Sequence, residues 1–482
     1  MKKLTVLINL IFASLPFLAQ KNNNEVFQQA GFTYFYESKY ALTYGPVKDF
    51  MPKKFYFIDK NGNIVEKLGY WNKIEPFDDY TGYAKTVDDN GKEFLLDTIG
   101  NTYEYNKKIY STYFVNGGNS VRVYNIKVLD LSNQDLLIIP EETKNHSDLF
   151  YLDLSKNKIS FLPYEIDKLE NLEVLKLNSN KLTTISKEIV KFTKLKYLDL
   201  SSNQLELLPD QIGKLYNLKY IDLSNNQLKK ITSEIGNLTN LKELHLSFNE
   251  IKVIPHEIGN LTELIRLELN KNKIKTLPSE IGNLKNIERL NLQLNELKSL
   301  PSEIGNLESL KWLNLSFNKL SYLPVEIGNL KNMQRLYVNN NELKVLPTEI
   351  GNLKNITSIF LASNQLKELP PEIGNLYNIK WLDISFNKLN VLPKEIGNLK
   401  NLEFLNLNGN ELRSLPAEIG NLTNLKTLFL GYNQLTVLPP EIENLTNLKT
   451  FEWEGNPLDN ESIERAKRIE NRILLNRALN NR

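Results

Sequence analysis

Residues 290–297 have the sequence Leu-Asn-Leu-Gln-Leu-Asn-Glu-Leu, and residues 300–307 have the sequence Leu-Pro-Ser-Glu-Ile-Gly-Asn-Leu. Both pieces return almost unchanged 23 residues later (313 − 290), at 313–320 and 323–330. Composition alone does not produce self-similarity at a fixed distance, so the pattern indicates repeated units that stack on one another. Because a stacked array grows by adding units, the length of 482 residues does not indicate the number of domains.

Each unit has one asparagine at a fixed place, and no unit gains or loses a residue. Fourteen asparagines follow one another at steps of 23 residues: Asn157, Asn180, Asn203, Asn226, Asn249, Asn272, Asn295, Asn318, Asn341, Asn364, Asn387, Asn410, Asn433 and Asn456. Gln134 holds the same place one step earlier, so the array has 15 units over 126–458. The substitution of Gln for Asn predicts that the first unit is a divergent cap.

Within a unit, Leu290 and Leu292 alternate with Asn291, which predicts a short strand with two inward side chains. We expect Asn295 to be buried where the chain leaves the strand, bonded to backbone groups of its own and the adjacent coil. The pair Gly305-Asn306 is interpreted as a tight turn on the opposite, convex side.

The pattern Leu-Pro-x-x-Ile-x-x-Leu-x-x-Leu-x-x-Leu-x-Leu-x-x-Asn-x-Leu resembles the leucine-rich repeat family in its 23-residue form. The resemblance implies an α/β-type solenoid, a curved horseshoe with a parallel β-sheet on its concave side. The Glu-Ile-Gly-Asn-Leu units are similar to those of exported spirochaete-type proteins, which implies secretion or surface location and binding of host proteins. The same class of unit occurs in cytoplasmic Ras-pathway-type scaffolds, and an intracellular scaffold is therefore the main alternative.

The first residues predict export. Met1-Lys2-Lys3 precedes an apolar run over 4–18, and Ala19 is followed by a polar stretch. These features are typical of a secretory signal peptide, here 1–19, and the run is too short to span a membrane comfortably. An uncleaved anchor is the alternative. No later segment is apolar enough to span a membrane, and a cytoplasmic location remains open if 1–19 is not a signal.

Composition excludes several classes of chemistry. The chain has no cysteine, which rules out disulfides, zinc sites built on cysteine and a cysteine nucleophile. Lys+Arg 59 against Asp+Glu 57 nearly cancel, so net charge gives no reason to expect nucleic acid or an anionic membrane as a partner. His245 is expected to face outward between Asp222 and Glu268 of the neighbouring units, which makes a histidine–carboxylate cluster possible, but no nucleophile or phosphate motif accompanies it. We therefore predict no enzyme activity, no cofactor and no metal.

Residues 25–108 predict a small all-β module rich in aromatic residues. A strand, an Asn61-Gly62 turn and a second strand are predicted over 55–65, and a further hairpin over 88–97. The stretch 55–103 resembles the WG-type β repeat of bacterial proteins, although Glu93-Phe94 stands where that family has Trp-Gly.

Residues 459–482 are predicted to be a capping helix and tail, with the helix beginning after the last unit and running to about Arg477. Its apolar stripe is predicted to consist of Ile463, Ala466, Ile469, Ile473 and Leu474. The basic residues of the helix are expected to form a solvated outer face.

Function is sought at the strand positions that point outward, six, four, two and one residues before each asparagine. These change from Tyr and Asp in the first units to Arg in the centre and aromatic residues afterwards. The candidate partner-binding residues are Arg266, Arg289, Trp312, Phe317, Arg335, Tyr337, Phe360, Trp381, Phe386, Phe404 and Phe429. Exposed aromatic residues and Arg are typical of protein interfaces, so a protein ligand on the concave face is predicted for a monomeric protein.

Two other interpretations remain for this face. The aromatic rings could stack across strands as ladders that only stabilise the sheet. Trp312 and Trp381 could instead be stacking platforms for a carbohydrate.

Overall fold

The computed structural model describes residues 65–69, 71–75, 82–105 and 126–480, and the backbone of the strands at 35–36, 40–46 and 53–59. The predicted signal peptide, 1–19, and the Asn61-Gly62 turn lie outside the described residues. The chain divides into two compact units, Met1–Tyr105 and Asn106–Arg482.

The first unit contains two small antiparallel sheets. One sheet has the strands β1 (Phe35–Tyr36), β2 (Tyr40–Pro46) and β3 (Lys53–Asp59). The other has β4 (Lys73–Ile74), β5 (Tyr83–Val87), β6 (Glu93–Asp97) and β7 (Thr102–Glu104), and a 3-10 helix, Glu66–Leu68, precedes it. The predicted all-β module is therefore confirmed as a fold class.

One of the two predicted hairpins is correct. The hairpin over 88–97 forms between β5 and β6, and the Asp88 amide donates to the Lys92 carbonyl at 3.0 Å across the turn. For the hairpin over 55–65, the first strand is present as β3, which pairs with β2, and Val65 lies outside any strand, while the turn and the rest of the second strand lie outside the described residues. Leu68, in the 3-10 helix Glu66–Leu68, is fully buried in the core of the second sheet.

The second unit is a solenoid whose 15 strands, within the described residues, form one parallel sheet in chain order. The register is constant: Arg289 pairs with Trp312 and Leu290 with Leu313. The strands are β8 (Val128–Asp130), β9 (Tyr151–Asp153), β10 (Val174–Lys176), β11 (Tyr197–Asp199), β12 (Tyr220–Asp222), β13 (Glu243–His245), β14 (Arg266–Glu268), β15 (Arg289–Asn291), β16 (Trp312–Asn314), β17 (Arg335–Tyr337), β18 (Ser358–Phe360), β19 (Trp381–Asp383), β20 (Phe404–Asn406), β21 (Thr427–Phe429) and β22 (Thr450–Glu452).

Between successive strands, the convex side is a short 3-10 helix of five residues. These helices are Glu141–Asn145, Tyr164–Lys168, Lys187–Lys191, Asp210–Lys214, Ser233–Asn237, His256–Asn260, Ser279–Asn283, Ser302–Asn306, Val325–Asn329, Thr348–Asn352, Pro371–Asn375, Lys394–Asn398, Ala417–Asn421 and Pro440–Asn444. The predicted solenoid with a parallel concave sheet is confirmed.

The leucines and the asparagine of each unit behave as predicted. Leu290, Leu292 and Ile304 are completely buried in one continuous core. The Asn295 amide donates to the Leu269 carbonyl at 3.0 Å and to the Leu292 carbonyl at 3.1 Å, and its oxygen accepts from the Ile274 amide at 3.0 Å. One side chain therefore links two successive coils and leaves none of these buried groups unpaired.

Gly305-Asn306 ends a short 3-10 helix on the convex side, so the chain does turn tightly there, but the turn is not the reason for the glycine. Gly305 lies inside the 3-10 helix Ser302–Asn306, and a Cβ atom there would overlap the carbonyl oxygen of Glu326 in the next unit. Glycine is required because successive 3-10 helices pack against each other without space for a side chain.

The helix α1 (Asn460–Asn480) closes the solenoid. Asp459 caps it, with the Ser462 amide donating to its carboxylate at 2.8 Å. Ala466, Ile469 and Ile473 are buried as predicted, but Leu474 is 59% exposed and does not belong to the stripe.

The prediction of a solvated basic face on α1 is also wrong in part. Arg465 donates to the Leu438 carbonyl at 2.6 Å, and Arg472 donates to the carbonyls of Glu443 and Leu445 at 2.8 and 2.9 Å. These carbonyls belong to the last 3-10 helix and its flanks, which no further unit covers. The arginines thus replace a following repeat as hydrogen-bond donors.

Candidate functional site

The candidate residues lie on eight consecutive strands of the concave sheet or directly after them. Arg266 and Arg289 begin β14 and β15, and Trp312 begins β16. The remaining residues are Arg335 and Tyr337 on β17, Phe360 on β18, Trp381 on β19, Phe404 on β20 and Phe429 on β21, with Phe317 and Phe386 following β16 and β19. In-register pairing therefore brings all of them onto one face.

Four of these side chains form a continuous stack, the central cluster of Arg289, Trp312, Tyr337 and Phe360. The Arg289 guanidinium lies 3.9 Å from the centre of the Trp312 ring. The rings of Trp312 and Tyr337 are 5.5 Å apart, and those of Tyr337 and Phe360 lie 4.7 Å apart and almost parallel. A guanidinium over an indole and stacked rings both add attraction beyond area burial.

Three further rings form the C-terminal cluster of Trp381, Phe404 and Phe429. Trp381 stacks on Phe404 at 5.2 Å, and Phe404 meets Phe429 edge-on at 5.7 Å. Trp381 is nevertheless 43% exposed. The rings therefore do stack as ladders across the strands, but the stacking leaves the outer faces of large apolar groups in water.

Asp383 lies between the two clusters, paired in register with Phe360. Its carboxylate accepts from the Ser385 amide at 3.0 Å and the Ser385 hydroxyl at 2.7 Å. Burial raises the pKa of Asp383, because the surrounding protein disfavours the charged form more than these hydrogen bonds stabilise it.

The arginines differ in their partners. Arg289 Nε donates to the Glu268 carboxylate at 2.8 Å, and Arg266 lies 3.6 Å from the Glu243 carboxylate. Arg335 has no acidic partner within the described part of the chain. Of the three guanidiniums, Arg335 is the one whose charge remains available to a carboxylate from outside.

In the first third of the concave face, the aromatic and charged side chains contact one another. The rings of Tyr197 and Tyr220 stack at 4.4 Å with parallel planes, and Lys176 lies over Tyr197 at 5.7 Å. Burial raises the pKa of both Asp199 and Tyr220. His245 contacts Glu243 at 2.7 Å and lies between Asp222 and Glu268 in register, as predicted, which is a polar contact within the sheet.

Some residues expected to point outward are covered. Asn291 is only 8% exposed, because its amide donates to Glu268 at 2.7 Å and Asn270 at 3.1 Å. The central strands are therefore lined by a hydrogen-bonded layer beneath the arginines.

The residue before the repeated asparagine has a left-handed backbone, with positive φ, in all fourteen units that carry the asparagine. Its φ is 54° at Phe386, 57° at Leu294 and 58° at Phe317. Glycine and asparagine adopt this conformation most readily, and Asn225, Asn340, Gly409 and Gly455 occupy the same position in other units. We call this set the left-handed column.

Several members of the left-handed column are bulky, apolar and exposed. Phe386 is 57% exposed and Tyr432 is 68% exposed, and Phe248 and Leu294 are also exposed. The candidate set contains only Phe317 and Phe386 from this column. The place of Phe248, Leu294 and Tyr432 one residue before an asparagine is the signal that could have identified them.

The rings of Phe386 and Tyr432 also pack against the next unit. A Cβ atom at Gly409 would lie 2.7 Å from Cδ1 of Phe386, and one at Gly455 would lie 2.9 Å from Cδ1 of Tyr432. Lys271 lies 4.5 Å from the centre of the Phe248 ring. One face of each ring is therefore covered by its neighbour, and the other remains in solvent.

Within the described residues, no group of His, Cys, Asp or Glu side chains is placed to hold a metal ion. No helix in the same part of the chain is long and apolar enough to cross a membrane.

A stack of 23-residue coils with one parallel concave sheet defines a leucine-rich repeat solenoid. The sequence matches the family described as leucine-rich repeat region over 119–250, 202–295, 255–342, 301–376 and 363–471. Because these matches cover more than half of the chain, the chain belongs to the leucine-rich repeat family. A comparison with curated proteins found no match.

Solved structures show the same fold. A leucine-rich repeat protein of Leptospira interrogans is 41% identical with a TM-score of 0.65, covering 72% of this chain and 94% of that one. The ectodomain of the Arabidopsis thaliana receptor kinase GASSHO1/SCHENGEN3, solved with CASPARIAN STRIP INTEGRITY FACTOR 2, is 32% identical with a TM-score of 0.59, covering 69% and 41%. TLR13 in complex with ssRNA13 is 28% identical with a TM-score of 0.60, covering 71% and 52%.

Proposed function

We propose that this chain is a non-catalytic, exported or surface-associated module that binds a partner protein on its concave face. The family resemblance to spirochaete-type proteins favours a host protein as that partner. The fold supports a protein-interaction role, because its solved relatives include receptor ectodomains. The neighbours' ligands include RNA, so the fold by itself does not choose the ligand class.

The main support for the proposal is the set of exposed aromatic residues in the left-handed column. A left-handed backbone disfavours residues with a Cβ atom, and an exposed Phe or Tyr adds unfavourable contact with water. The left-handed backbone belongs to the repeat, because every unit has it, but glycine or asparagine adopts it more readily. The choice of exposed Phe386 and Tyr432 at this position, with the exposed face of Trp381 on the same sheet, is explained if a partner covers these rings.

The charges of the face fit a protein better than a nucleic acid. Arg266 and Arg289 are already paired with Glu243 and Glu268. Arg335 is left for one carboxylate, next to a large aromatic surface, and that combination is typical of protein hot spots. A nucleic acid would require many free cations on the same face.

The carbohydrate alternative is weakened at Trp312, since Arg289 covers its ring at 3.9 Å and Tyr337 lies beside it. Trp381 remains available for stacking. A glycan array that gives no signal, beside a protein partner that is lost in Trp381→Ala, would remove this alternative.

The test is an affinity pull-down with the full chain, comparing wild type with Trp381→Ala and Phe386→Asn. Both variants are expected to lose the captured protein by at least about tenfold, as for hot-spot residues. Tyr216→Ala is the matched control, because it removes an exposed aromatic side chain outside the concave face. Capture that is unchanged in both concave variants would contradict the proposal.

Export has its own test. Mass spectrometry of the native protein is expected to find a mature N-terminus near residue 20 outside the cytoplasm. An intact Met1 in the cytosol would favour the intracellular scaffold.

A further inference from the structure

A second surface lies on the flank of the solenoid that follows the sheet. Three residues after the asparagine, successive units carry a basic residue with few interruptions. We call these the cation column: Lys229, Lys252, Lys275, Lys298, Lys344, Lys367 and Arg413. All seven are exposed, and no acid occupies this position between Lys229 and Arg413.

The residues of the cation column occupy the same position in successive units, and at the C-terminal end of the column their backbones are joined by hydrogen bonds. The Asn390 amide donates to the Lys367 carbonyl at 3.3 Å, and the Arg413 amide donates to the Asn390 carbonyl at 3.4 Å. Neighbouring units are about 4.8 Å apart, so consecutive lysines place like charges side by side, which disfavours the fold.

Acids of the chain do not neutralise the cation column. Only Lys229 forms an ion pair, with Glu206 at 2.8 Å, and the other six form none within the described residues. Lys273, bonded at 2.9 Å, is the main cause of the lowered pKa of Glu250, and the nearby charges of Lys229 and Lys252 also lower it.

At another position of the repeat, lysines do form ion pairs with acids of the neighbouring unit. One residue after the asparagine, Lys158 pairs with Asp135 at 2.8 Å, Lys273 with Glu250 at 2.9 Å and Lys319 with Glu296 at 3.6 Å. We call these lysines the paired column. The cation column lies two residues further on and lacks such acids, so its counter-charge has to come from outside the chain.

Exposed apolar residues occur beside the cation column in some of the units. Over the units of the cation column, the next position carries Val253, Tyr322, Val345 and Val391, each about half exposed or more, and we call these four the apolar column. The other units have Lys230, Thr276, Ser299, Glu368 and Ser414 at this position. Every unit has the same length, so no insertion protrudes from this flank. The surface therefore offers a row of cations with exposed apolar side chains at four places beside it, and the repeats add no insertion there.

We propose that this flank binds an anionic lipid surface. The cation column would contact phosphate groups, and the apolar column would enter the boundary between headgroups and acyl chains. The charges extend over eight steps of the solenoid, roughly 38 Å, which suits a surface better than a small ligand. A purely charged polymer would leave the apolar column uncovered. Net charge did not suggest this partner, because it averages the cation column with acids elsewhere.

The test is co-sedimentation of the full chain with phosphatidylcholine vesicles, with and without phosphatidylglycerol. Wild type is expected to bind only the anionic vesicles, and less at high salt. The triple variant Lys252→Gln, Lys275→Gln, Lys298→Gln is expected to weaken binding at least about tenfold. The control removes the same charge from the paired column, with Lys158→Gln, Lys273→Gln and Lys319→Gln, and should keep binding within about twofold.

A third variant separates lipid from other anions. Val253→Ser, Val345→Ser, Val391→Ser is expected to reduce the binding that remains at high salt, where apolar contact dominates. Absence of binding to anionic vesicles, or equal loss in the two lysine variants, would overturn the proposal. Binding to poly-glutamate without binding to vesicles would also overturn it in favour of an acidic protein. Trp381→Ala should leave vesicle binding unchanged, so this result is independent of the concave-face test.

Discussion

The convex glycines and the left-handed column both recur every 23 residues at positions where the backbone favours glycine. The residue types at the two positions nevertheless differ. On the convex side, a glycine stands inside the 3-10 helix of ten units, from Gly213 to Gly420, and a Cβ atom at any of them would overlap the next unit. In the left-handed column, where glycine or asparagine is also preferred, the chain places Phe, Leu and Tyr in five units.

The difference lies in what each constraint excludes. At Gly305 a side chain would occupy space that Glu326 already fills, and no other residue type removes the overlap. At Phe386 the left-handed backbone is unfavourable for a side chain but not blocked, since the ring packs over Gly409, which has no side chain, and remains 57% exposed. Between Gly213 and Gly420 every unit keeps the convex glycine, whereas the left-handed column admits exposed aromatic groups at Phe248, Phe386 and Tyr432.

The strongest test of the strict constraints removes an asparagine that links two successive coils. Asn318→Ala removes donors to the carbonyls of Leu292 and Leu315 at 2.9 and 3.0 Å, and leaves the buried Leu297 amide without its acceptor at 3.0 Å. We expect a loss of about 3 kcal/mol in the free energy of unfolding, measured by urea denaturation. Asn306→Ala is the control, because Asn306 is exposed. Equal losses in both variants would contradict the argument.

The convex glycine comes next in size. Gly305→Ala is expected to lower the free energy of unfolding by about 2 kcal/mol, since the Glu326 backbone must move to admit a methyl group. Ser302→Ala in the same helix is the control and should have little effect, because Ser302 is exposed. If Gly305→Ala were as stable as wild type, the helices would not be closely packed there, and the contrast between the columns would fail.

Much of the fold follows from single units of the sequence. The alternation around Leu290 and Leu292, and the constant step to Asn295, are enough to place the strand, the core and the hydrogen-bonded asparagine. The reason for Gly305 could not be predicted in this way, because the group that excludes a side chain belongs to the next unit. Arg472 is a similar case: its basic character suggested solvent, whereas the uncovered carbonyls of Glu443 and Leu445 accept its hydrogen bonds.

For the candidate site, the sequence predicts which residues share a face of the sheet but not which of their side chains are in contact. The repeat places Arg289, Trp312 and Tyr337 on one face, but which ring stacks on which depends on rotamers that no pattern of letters specifies. The same holds for charge, since Arg266 and Arg335 occupy equivalent positions and only Arg266 meets an acid. The left-handed backbone at Phe386 requires coordinates, because nothing in the residue type suggests it.

In the left-handed column, replacing Phe386 by asparagine is expected to have a smaller effect on stability, and one that favours the fold relative to alanine. Phe386→Ala removes the ring but keeps a residue that disfavours the left-handed backbone, whereas Phe386→Asn removes the ring and relieves that conformation. We expect Phe386→Asn to be more stable than Phe386→Ala by about 1 kcal/mol, measured by urea denaturation. The partner should be lost equally in both. A more stable alanine variant would show that the backbone at this position is not under strain.

The smallest effect concerns Asp383, between the two aromatic clusters. Burial raises its pKa in the folded state, so the native protein holds the proton more tightly than the unfolded chain does. Its charged form therefore destabilises the fold at neutral pH, and wild type gains stability as pH falls through the folded pKa towards the unfolded value. Asp383→Asn can accept the same hydrogen bonds from Ser385, as Asn314 does from Ser316 at 3.0 Å. We expect the variant to be at least as stable as wild type at neutral pH, and this advantage to shrink on acidification, measured by thermal unfolding across the pH range. An advantage that grows as pH falls would mean that Asp383 is stabilised as a carboxylate, and that the gap between the clusters is more polar than its burial implies.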